Sequence, residues 1–316
     1  MPPFVGLIGV GAMGSRMAAN LARRGHQLLL YDVVERRYQH LLGERVQGAA
    51  SLGELAARAS VVLTMLPSPS AVRAVYLQEL VPALNTAASP RGASLCIDSS
   101  TVDPETARSI ARAFQTLPRQ VGFLDAPVSG GVVGAEQATL TFMVGGPSSA
   151  LDQATPLLQC MGKSVLHCGE EPGSGAIAKI CNNMALGIQM LSICEALSLG
   201  RRLGMPPDKL SAVLNVSSAR CWSSDTYNPA PGAVKGVPAE NDYEDGFVCD
   251  LMRKDLGLAL LAAGRAQTSV PMAERAAELF NRMSAMGYGA KDFSGAYRYL
   301  YAQGHAVPGV ECDDRE

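Results

Sequence analysis

The stretch VGLIGVGAMGSRMAANLARRG, residues 5–25, places three glycines between an apolar run and a segment with helical spacing. In a dinucleotide-binding loop, the first glycine allows a tight turn, the second lets a pyrophosphate approach the backbone, and the third lets the helix pack closely on the strand. The residues of this stretch that would contact a dinucleotide are Gly9, Gly11, Ala12, Met13 and Gly14. Ordinary strand-to-helix turns also use this spacing, so the flanking sequence has to decide.

An acidic residue stands at the expected distance after this loop. Asp32 ends the next apolar run, residues 27–32, where a carboxylate would accept hydrogen bonds from the adenine ribose hydroxyls. Its negative charge would repel a 2′-phosphate, which favours NAD over NADP, although Arg36 and Arg37 lie close enough to weaken that preference. Strand, glycine loop, helix and acid therefore predict an NAD-binding N-terminus.

Composition and charge exclude several classes of protein. The chain has 316 residues, 47% of them hydrophobic and 18% charged, which predicts a well-buried globular protein of two domains. The net charge of -2 and the absence of a basic run argue against a nucleic-acid partner. Eight scattered cysteines without a CxxC pair indicate reduced thiols, and four isolated histidines match no metal site. No signal peptide is expected, so we predict a soluble protein of the cytoplasm, or of the mitochondrial matrix if the chain is a processed form.

The first half of the chain alternates β-rich runs with segments of helical spacing. The strand candidates are residues 4–10, 27–32, 60–66, 94–100, 121–128 and 140–146. Ser51 and Asp103 precede two of the helical segments as capping residues. Apolar strands that alternate with helices predict a doubly wound parallel sheet covered on both faces, an α/β Rossmann-type domain at residues 1–165.

The second half, residues 166–316, is predicted to be an all-helical substrate and dimerisation domain. Residues 173–205 form one long helix that is apolar or small nearly all the way round and would join the two domains. Its length raises the possibility of a membrane span, against which its polar residues argue: Lys179, Asn182, Asn183, Gln189 and Glu195. The long Pro/Gly/Asn-rich loop at 221–247 is expected to be functional, and the tail at 311–316 to be disordered.

Two segments offer chemistry beside the cofactor. Lys179 and Asn183 stand at i and i+4, hence on one helix face, where an amine and an amide form a poor core and a plausible catalytic pair. A lysine that extends to solvent and a bridging asparagine would explain the pair equally well. Lys254 is a weaker candidate, because a Lys/Asp pair on a helix is usually a solvated face.

A second loop, DAPVSGGVVG at residues 125–134, follows a predicted strand. Ser129, Gly130 and Gly131 would expose backbone N–H groups and one hydroxyl, a suitable nest for a carboxylate. The alternative is a plain flexible turn.

Seven segments together resemble the β-hydroxyacid dehydrogenases over nearly the whole chain and in the same order. They are GLIGVGAMGSRMAANL, TMLPS, IDSSTVDP, DAPVSGGVVGAEQATLTFMVGG, GSGAIAKICNNM, CWSSDTYNPAPG and KDLGLAL. The resemblance implies NAD-dependent oxidation of a small 3-hydroxy acid, most closely (S)-3-hydroxyisobutyrate to methylmalonate semialdehyde in valine degradation. It also implies a homodimer or homotetramer built partly on the long helix.

The resemblance further implies a role for each matching residue. Lys179 would be the catalytic acid and base, with Asn183 beside the hydroxyl. Around the cofactor, Leu66 and Pro67 would pass the adenosine half of NAD, Thr101 would lie near the nicotinamide half, and Lys254 would close over the cofactor. Around the substrate, its carboxylate would be bound by Ser129, Gly130 and Gly131. An apolar wall for its methyl group would be formed by Trp222 and Phe247. The chain departs from the family at Arg16, where relatives often have proline, and at Ala71, where the close relative has asparagine near the cofactor. These departures concern helix entry and NAD affinity and leave the catalytic residues intact.

Three other functions compete with this interpretation. One is a reductase of glyoxylate, succinic semialdehyde or tartronate semialdehyde with NAD(P)H, from the same family. Another is phosphogluconate dehydrogenase, whose sugar phosphate requires basic ligands that the sequence does not display. The third is a nucleotide sensor without turnover, against which the lysine and asparagine pair argues.

Overall fold

The computed structural model describes residues 3–86 and 92–303, so the predicted disordered tail lies outside the described residues. The chain divides into two compact units, Met1–Asn182 and Asn183–Glu316. The domain boundary expected at 165/166 stays a prediction.

A nine-stranded sheet organises the first unit. Its strands are β1 Phe4–Ile8, β2 Leu28–Tyr31, β3 Val46–Gly48, β4 Ala59–Thr64, β5 Leu95–Asp98, β6 Gly122–Asp125, β7 Val128–Ser129, β8 Leu140–Gly145 and β9 Gly162–Gly169. The sheet order is β3-β2-β1-β4-β5-β6-β8-β7, with β9 paired to β8. The first six strands run parallel in the order of a doubly wound dinucleotide-binding fold. The predicted fold class is therefore confirmed, with one addition, because β8 runs antiparallel to β6 and β7.

Helices follow most of these strands. They are α1 Ala12–Arg23, α2 Leu52–Arg58, α3 Pro69–Arg73, α4 Val81–Thr86, α5 Pro104–Gln115, α6 Gly131–Glu136 and α7 Ser148–Leu158, and a π-helical segment, Ala74–Leu80, joins α3 to α4. Both predicted caps are present: the Ser51 hydroxyl accepts from the Glu54 N–H at 3.1 Å, and the Asp103 carboxylate accepts from the Thr106 N–H at 3.2 Å.

The sheet is covered on both faces, as its sequence pattern predicts. Leu28 and Leu30 pack in one buried cluster, whereas Leu29 packs in the other. Successive side chains of a strand point to opposite faces, so this alternation means that each face has its own apolar core. The carboxyl ends of the parallel strands are left as the edge where polar side chains collect.

The structure differs from the predicted strands in three ways. The first strand ends at Ile8, because Gly9 turns the chain with a φ of +90°. The candidate at 121–128 is divided into β6 and β7. The strands β3 and β9 were not predicted: β3 has only three residues, and most of the β9 side chains are half-exposed or exposed, so neither has the apolar run of a buried strand.

Helices make up the second unit. They are α8 Ser174–Arg202, which begins in the first unit, α9 Pro207–Val216, α10 Trp222–Asp225, α11 Cys249–Arg265, α12 Pro271–Met283 and α13 Ala296–Gln303. Between residues 183 and 303, all of them described, there is no β-strand, which confirms the predicted helical domain. A core that includes Met252, Leu256, Phe280 and Phe293 holds these helices together.

The long helix α8 is apolar enough to meet a length-and-composition test for a membrane span, with a mean hydropathy of 1.2. Core helices of soluble proteins meet the same test. Three of its buried residues are polar, Lys179, Asn183 and Ser198. Buried polar side chains need hydrogen-bond partners inside the protein, so these positions differ from the apolar core positions of the helix.

Candidate active site

The glycine loop joins β1 to α1 with two glycines that tolerate no side chain and one that faces open space. A Cβ on Gly9 would lie 2.3 Å from the Met65 carbonyl oxygen, and a Cβ on Gly14 would lie 1.9 Å from the Gly9 carbonyl oxygen. A Cβ on Gly11 would meet no atom within 4 Å. Gly11 is the N-cap residue of α1 and offers no side-chain acceptor to its first N–H groups. The N-terminus of α1 is thus open to a negatively charged ligand.

Asp32 lies immediately after β2, beside this loop, and is only 6% exposed. Its Oδ2 accepts from the Val10 N–H at 2.8 Å and its Oδ1 from the Val34 N–H at 2.9 Å. The half-exposed guanidinium of Arg37 lies 3.2 Å from Oδ1. The carboxylate is therefore fixed at the carboxyl end of β2, and one of the two arginines noted in the sequence pairs with it.

The loops after β4 and β5 carry the predicted cofactor residues Leu66, Pro67 and Thr101. A buried carboxylate ties these loops together: the Oδ1 of Asp98 accepts from the Thr64 hydroxyl at 2.7 Å and from the Ser100 N–H at 3.1 Å. The Ser100 hydroxyl in turn accepts from the Leu66 N–H at 2.8 Å. Sequence analysis missed Asp98 and Ser100, although Asp98 ends an apolar strand just as Asp32 follows one.

A third strand-end carboxylate, Asp125, binds the first turn of α8. Its Oδ1 accepts from the Gly173 N–H at 2.7 Å, and its Oδ2 accepts from the Ala176 N–H at 2.8 Å. Burial raises the pKa of Asp125 to about 6 even though both hydrogen bonds favour the ionised form. Sequence analysis missed this residue too, because it lies inside the strand candidate at 121–128.

Two further glycines let α8 approach the sheet this closely. A Cβ on Gly175 would lie 2.2 Å from the Met143 carbonyl oxygen, and a Cβ on Gly145 would lie 2.6 Å from Oδ1 of Asp125. Real Cβ atoms essentially never come that near to other heavy atoms. The first turn of α8 is therefore held against the ends of β6 and β8 by close packing as well as by hydrogen bonds.

Lys179 and Asn183 lie on α8 one turn apart, with exposures of 7% and 2%. Lys179 follows Ala176 by three residues, so both lie on the same face of the helix. A side chain in a helix leans toward the N-terminus, so Lys179 extends along the turn that Asp125 binds. Its low exposure is not that of a lysine that extends to solvent.

In the second unit, Asp255 on α11 joins two of the predicted residues. Its Oδ2 accepts from the Asn183 Nδ2 at 2.5 Å, and the Lys254 Nζ lies 3.2 Å from its Oδ1. Asp255 is 1% exposed, so the interpretation of this Lys/Asp pair as a solvated face is wrong for the aspartate. Sequence analysis did not select Asp255 because its charged neighbours, Arg253 and Lys254, conceal a buried position.

The loop after β7 presents the predicted carboxylate-binding residues. Ser129 ends β7 and is half-buried, while Gly130 and Gly131 are exposed at the start of α6. Gly130 has a φ of +127° and Gly131 a φ of +61°, a backbone that L side chains rarely adopt. Successive amides in such a conformation can form an anion-binding nest.

Trp222 and Phe247 are connected within the second unit through the buried Asp292. Trp222 is 43% exposed and stacks on Tyr227, with 4.6 Å between ring centroids. The Tyr227 hydroxyl donates to Oδ2 of Asp292 at 2.8 Å, and the Phe247 N–H donates to the same oxygen at 2.7 Å. One carboxylate therefore binds the backbone of Phe247 directly and the aromatic partner of Trp222.

The two departures from the family pattern lie in the first unit. The Arg16 Nη1 donates to the Ala12 carbonyl at 2.8 Å, and its Nε lies 3.7 Å from the Glu136 carboxylate. The Ala71 N–H donates to the Ser68 hydroxyl at 3.2 Å, which caps α3. Their effect on NAD affinity stays a prediction.

Across residues 3–86 and 92–303, no group of three or more His, Cys, Asp or Glu side chains could hold a metal ion.

This fold and this glycine loop define a dinucleotide-dependent dehydrogenase. Residues 4–169 match a family model described as the NAD-binding domain of 6-phosphogluconate dehydrogenase. Residues 173–300 match one described as the NAD-binding domain of NADP-dependent 3-hydroxyisobutyrate dehydrogenase. The chain belongs to the 3-hydroxyisobutyrate dehydrogenase family, as its similarity to individual members shows.

Three relatives document that similarity. The chain is 44% identical over 296 residues to the mitochondrial 3-hydroxyisobutyrate dehydrogenase of Mus musculus, covering 94% of this chain and 86% of the mouse protein. It is 43% identical to a probable mitochondrial enzyme of the same name from Dictyostelium discoideum, covering 94% and 90%. A structure of the Mycobacterium tuberculosis 3-hydroxyisobutyrate dehydrogenase with L-serine has a TM-score of 0.86 and 38% identity, covering 95% and 99%. The predicted family is confirmed, and the chain is an oxidoreductase that uses a nicotinamide cofactor on a small hydroxy acid.

Proposed function

We propose that this protein oxidises (S)-3-hydroxyisobutyrate to methylmalonate semialdehyde with NAD, a step of valine degradation, and that Lys179 is its general base. The observation that carries the proposal is a buried lysine on a helix whose first turn is bound by Asp125, the residue from which the chain runs into the Ser129–Gly131 loop. The relatives of the same family support the choice of substrate.

The residues of the first unit fit a dinucleotide. The open N-terminus of α1 suits the pyrophosphate, and the space at Gly11 allows it to approach the backbone. Asp32 would accept from the adenine ribose, with Leu66, Pro67 and Thr101 along the neighbouring strand ends and Lys254 closing over the cofactor. When bound, NAD supplies the hydride acceptor of the reaction. The charge of Asp32 disfavours a 2′-phosphate, which supports NAD over NADP.

The proton of the substrate hydroxyl would go to Lys179. The backbone amides at Gly130 and Gly131, with the Ser129 hydroxyl, would hold the substrate carboxylate, while Asn183 would orient the hydroxyl one helical turn beyond the lysine. The hydroxyl proton would be transferred to Nζ of Lys179, the O–H electron pair would form the carbonyl, and the hydride would leave the carbon for the acceptor that NAD supplies. Lys179 must be neutral to accept the proton. In the reverse reaction the same ammonium returns the proton.

Two residues of the second unit would contact the substrate. Trp222, stacked on Tyr227, and Phe247, whose N–H donates to Asp292, would form the apolar wall that meets the methyl group. The protein would act as a homodimer or homotetramer built partly on α8. It would work in a reducing compartment, the mitochondrial matrix or the cytoplasm. The seven cysteines within the described residues support this, because all of them are free thiols.

Formation of NADH from a panel of short 3-hydroxy acids tests the proposed substrate. The panel contains (S)-3-hydroxyisobutyrate, its R enantiomer, 3-hydroxypropionate and L-serine, each with NAD and with NADP. The S enantiomer of hydroxyisobutyrate with NAD should give the highest kcat/KM. A higher kcat/KM for glyoxylate, succinic semialdehyde or tartronate semialdehyde reduction with NADPH would replace the proposal with the reductase alternative.

The same panel tests the apolar wall. Trp222→Ala should lower the preference for hydroxyisobutyrate over 3-hydroxypropionate, which lacks the methyl group, by roughly tenfold. Trp222 is the only tryptophan, so the intrinsic tryptophan fluorescence reports this position alone. Binding of NADH should quench it by energy transfer. An unchanged substrate preference in Trp222→Ala would remove this residue from the pocket without affecting the proposed role of Lys179.

A further inference from the structure

We propose that Asp125 is a positioning residue: its carboxylate, by accepting from two amides of the first turn of α8, holds Lys179 in register with the Ser129–Gly131 loop. The inference rests on the proposed function, because it takes Lys179 as the general base. It assigns a task in catalysis to a side chain that lies behind the proposed substrate site.

The hydrogen bonds of Asp125 are those of a helix cap supplied from another strand. Gly173 precedes the first residue of α8, and Ala176 is its third residue, so the two N–H groups lie at the N-cap and N3 positions. A capping residue usually satisfies the N3 amide with its own side chain. Here the acceptor is the last residue of β6, so the cap also attaches the helix to the sheet.

The position of Asp125 in the chain explains what this attachment controls. Ser129 follows it by four residues, through Pro127 and β7, and Lys179 follows Ala176 by three residues along a rigid helix. The distance between the proposed carboxylate nest and the proposed base therefore depends on the contact between Asp125 and α8. A displacement of about 1 Å between a base and its substrate can lower turnover by roughly a hundredfold.

The ionised carboxylate accepts fully at both contacts. Each oxygen accepts from one N–H group, and a protonated oxygen is a much weaker acceptor, so protonation would weaken one of the two hydrogen bonds. The raised pKa of Asp125, about 6, places this weakening just below neutral pH.

The titratable and charged groups around Asp125 come from four elements. Asp98 on β5 stands opposite it in the parallel pairing, and Cys168 lies on β9. Arg108 on α5 packs near Gly173, and Lys179 is on α8 itself. Of these groups, Asp98 raises the pKa of Asp125, and the charge of Asp125 raises that of Cys168.

Asp125→Asn tests the proposal, because the amide keeps the shape and can accept from only one of the two N–H groups. We expect the variant to bind NADH within about twofold of the wild type and to change substrate KM by less than about threefold. Its kcat at about pH 8 should fall roughly ten- to a hundredfold. In the reduction direction, where the protonated Lys179 is the reactive form, the kcat of the wild type should decline on the acid side near pH 6, and this decline should be absent in the variant, whose amide does not titrate.

Asp103→Asn is the matched control, since Asp103 is a buried capping aspartate of the neighbouring helix α5. It should lower stability while keeping the acid decline of kcat. Wild-type kcat in Asp125→Asn, or an acid decline that survives in it, would overturn the proposal.

Hydrogen exchange gives a measurement independent of catalysis. The amides of Gly173 and Ala176 should both be protected in the wild type at about pH 7.5. At least one of them should lose protection in Asp125→Asn, and likewise in the wild type at about pH 5. Equal protection in all three samples would refute the inference. If Lys179→Ala keeps its activity while this protection pattern holds, the proposed base is wrong and the attachment of α8 by Asp125 stands.

Discussion

Two helices, α1 and α8, begin at the same edge of the sheet in the first unit, and they differ in whether a side chain accepts from their N-terminal N–H groups. The first turn of α1 has no side-chain acceptor on its N-cap residue, Gly11, and faces open space there. The first turn of α8 is filled by the carboxylate of Asp125. Both helices pack through a glycine on a backbone carbonyl, Gly14 in α1 and Gly175 in α8.

This difference separates binding from chemistry. A helix N-terminus carries unsatisfied N–H groups and a partial positive charge, which either a ligand or the protein itself can satisfy. Under the proposed function, α1 leaves them for a dinucleotide, whereas α8 has them satisfied by Asp125, which would give Lys179 a fixed support. If this comparison is right, changes at α1 should alter affinity for the cofactor, and changes at α8 should alter turnover.

The largest effect is expected from Lys179→Ala. Loss of a general base lowers kcat by roughly a hundred- to ten-thousandfold, while NADH should bind with unchanged affinity because the open helix is α1. Steady-state kinetics and an NADH titration measure the two quantities. Lys209→Ala, which removes an exposed lysine of α9, is the control and should keep wild-type values. A variant at Lys179 that retains a tenth of wild-type kcat would remove this residue from the mechanism.

The next effect concerns the dependence of stability on pH. The folded pKa of Asp125, about 6, lies above the ordinary value of 3.8, so the folded state holds this proton more tightly than the unfolded state. Its contribution to stability is complete below the unfolded pKa and is lost as pH rises through about 6. The total is about 3 kcal/mol at about 1.4 kcal/mol per pKa unit. Relative to the wild type, Asp125→Asn should therefore become more stable as pH rises from about 4 to 7.

Thermal midpoints of the wild type and Asp125→Asn across this pH range measure the difference in stability between them. Taking the difference cancels the contributions of most other titrating groups, because both proteins share them. No comparable dependence should come from the N-terminus of α1, because Gly11 supplies no titratable cap. A difference between the two proteins that does not change with pH would mean that the carboxyl group of Asp125 titrates normally.

The sequence predicted the α1 side of this comparison far better than the α8 side. Three glycines at fixed spacing and an acid after the next strand are local signals, and the structure places Gly9, Gly14 and Asp32 as that pattern requires. Asp125 and its amide partners are separated by 48 and 51 residues. No periodicity joins such positions, since their meeting depends on how β6 and β8 pair and on the space left at Gly145 and Gly175.

The same reason explains the other residues that sequence analysis missed. Asp255 and Asp292 are buried by tertiary packing in the second unit, and each then binds a residue that the sequence did single out, Asn183 and Phe247 respectively. An aspartate that ends an apolar strand, as Asp98 and Asp125 do, is the one signal that could have been used. Asp32, just past its own strand, drew notice only because a known motif expects it.

A pair of substitutions in the glycine loop sharpens the comparison at α1. Gly14→Ala would bring a Cβ to 1.9 Å from a backbone carbonyl, so it should cost about 1–3 kcal/mol of stability and also weaken NADH binding. Gly11→Ala meets no protein atom within 4 Å, so it should leave the thermal midpoint nearly unchanged and weaken NADH binding alone. Equal losses of stability in the two variants would contradict the assignment of Gly11 to the ligand. Both measurements need only thermal unfolding and a titration with NADH.

The smallest effect is expected at Asp32, the residue beside α1 that would select NAD over NADP. The carboxylate is held by the Val10 and Val34 amides, so Asp32→Ala removes both a ribose acceptor and a negative charge that repels a 2′-phosphate. Arg37, 3.2 Å away, would then be released to attract that phosphate. We expect the preference for NAD over NADP, as a ratio of kcat/KM values, to fall by roughly tenfold to a hundredfold, with most of the change in KM. Arg37→Ala in the same background should restore part of the preference, because the phosphate would lose its cationic partner. If the wild type already uses both cofactors equally, Asp32 does not select between them. If Asp32→Ala lowers kcat for NAD while leaving KM unchanged, changes at α1 affect turnover as well as binding, and the division between a binding helix and a catalytic helix is wrong.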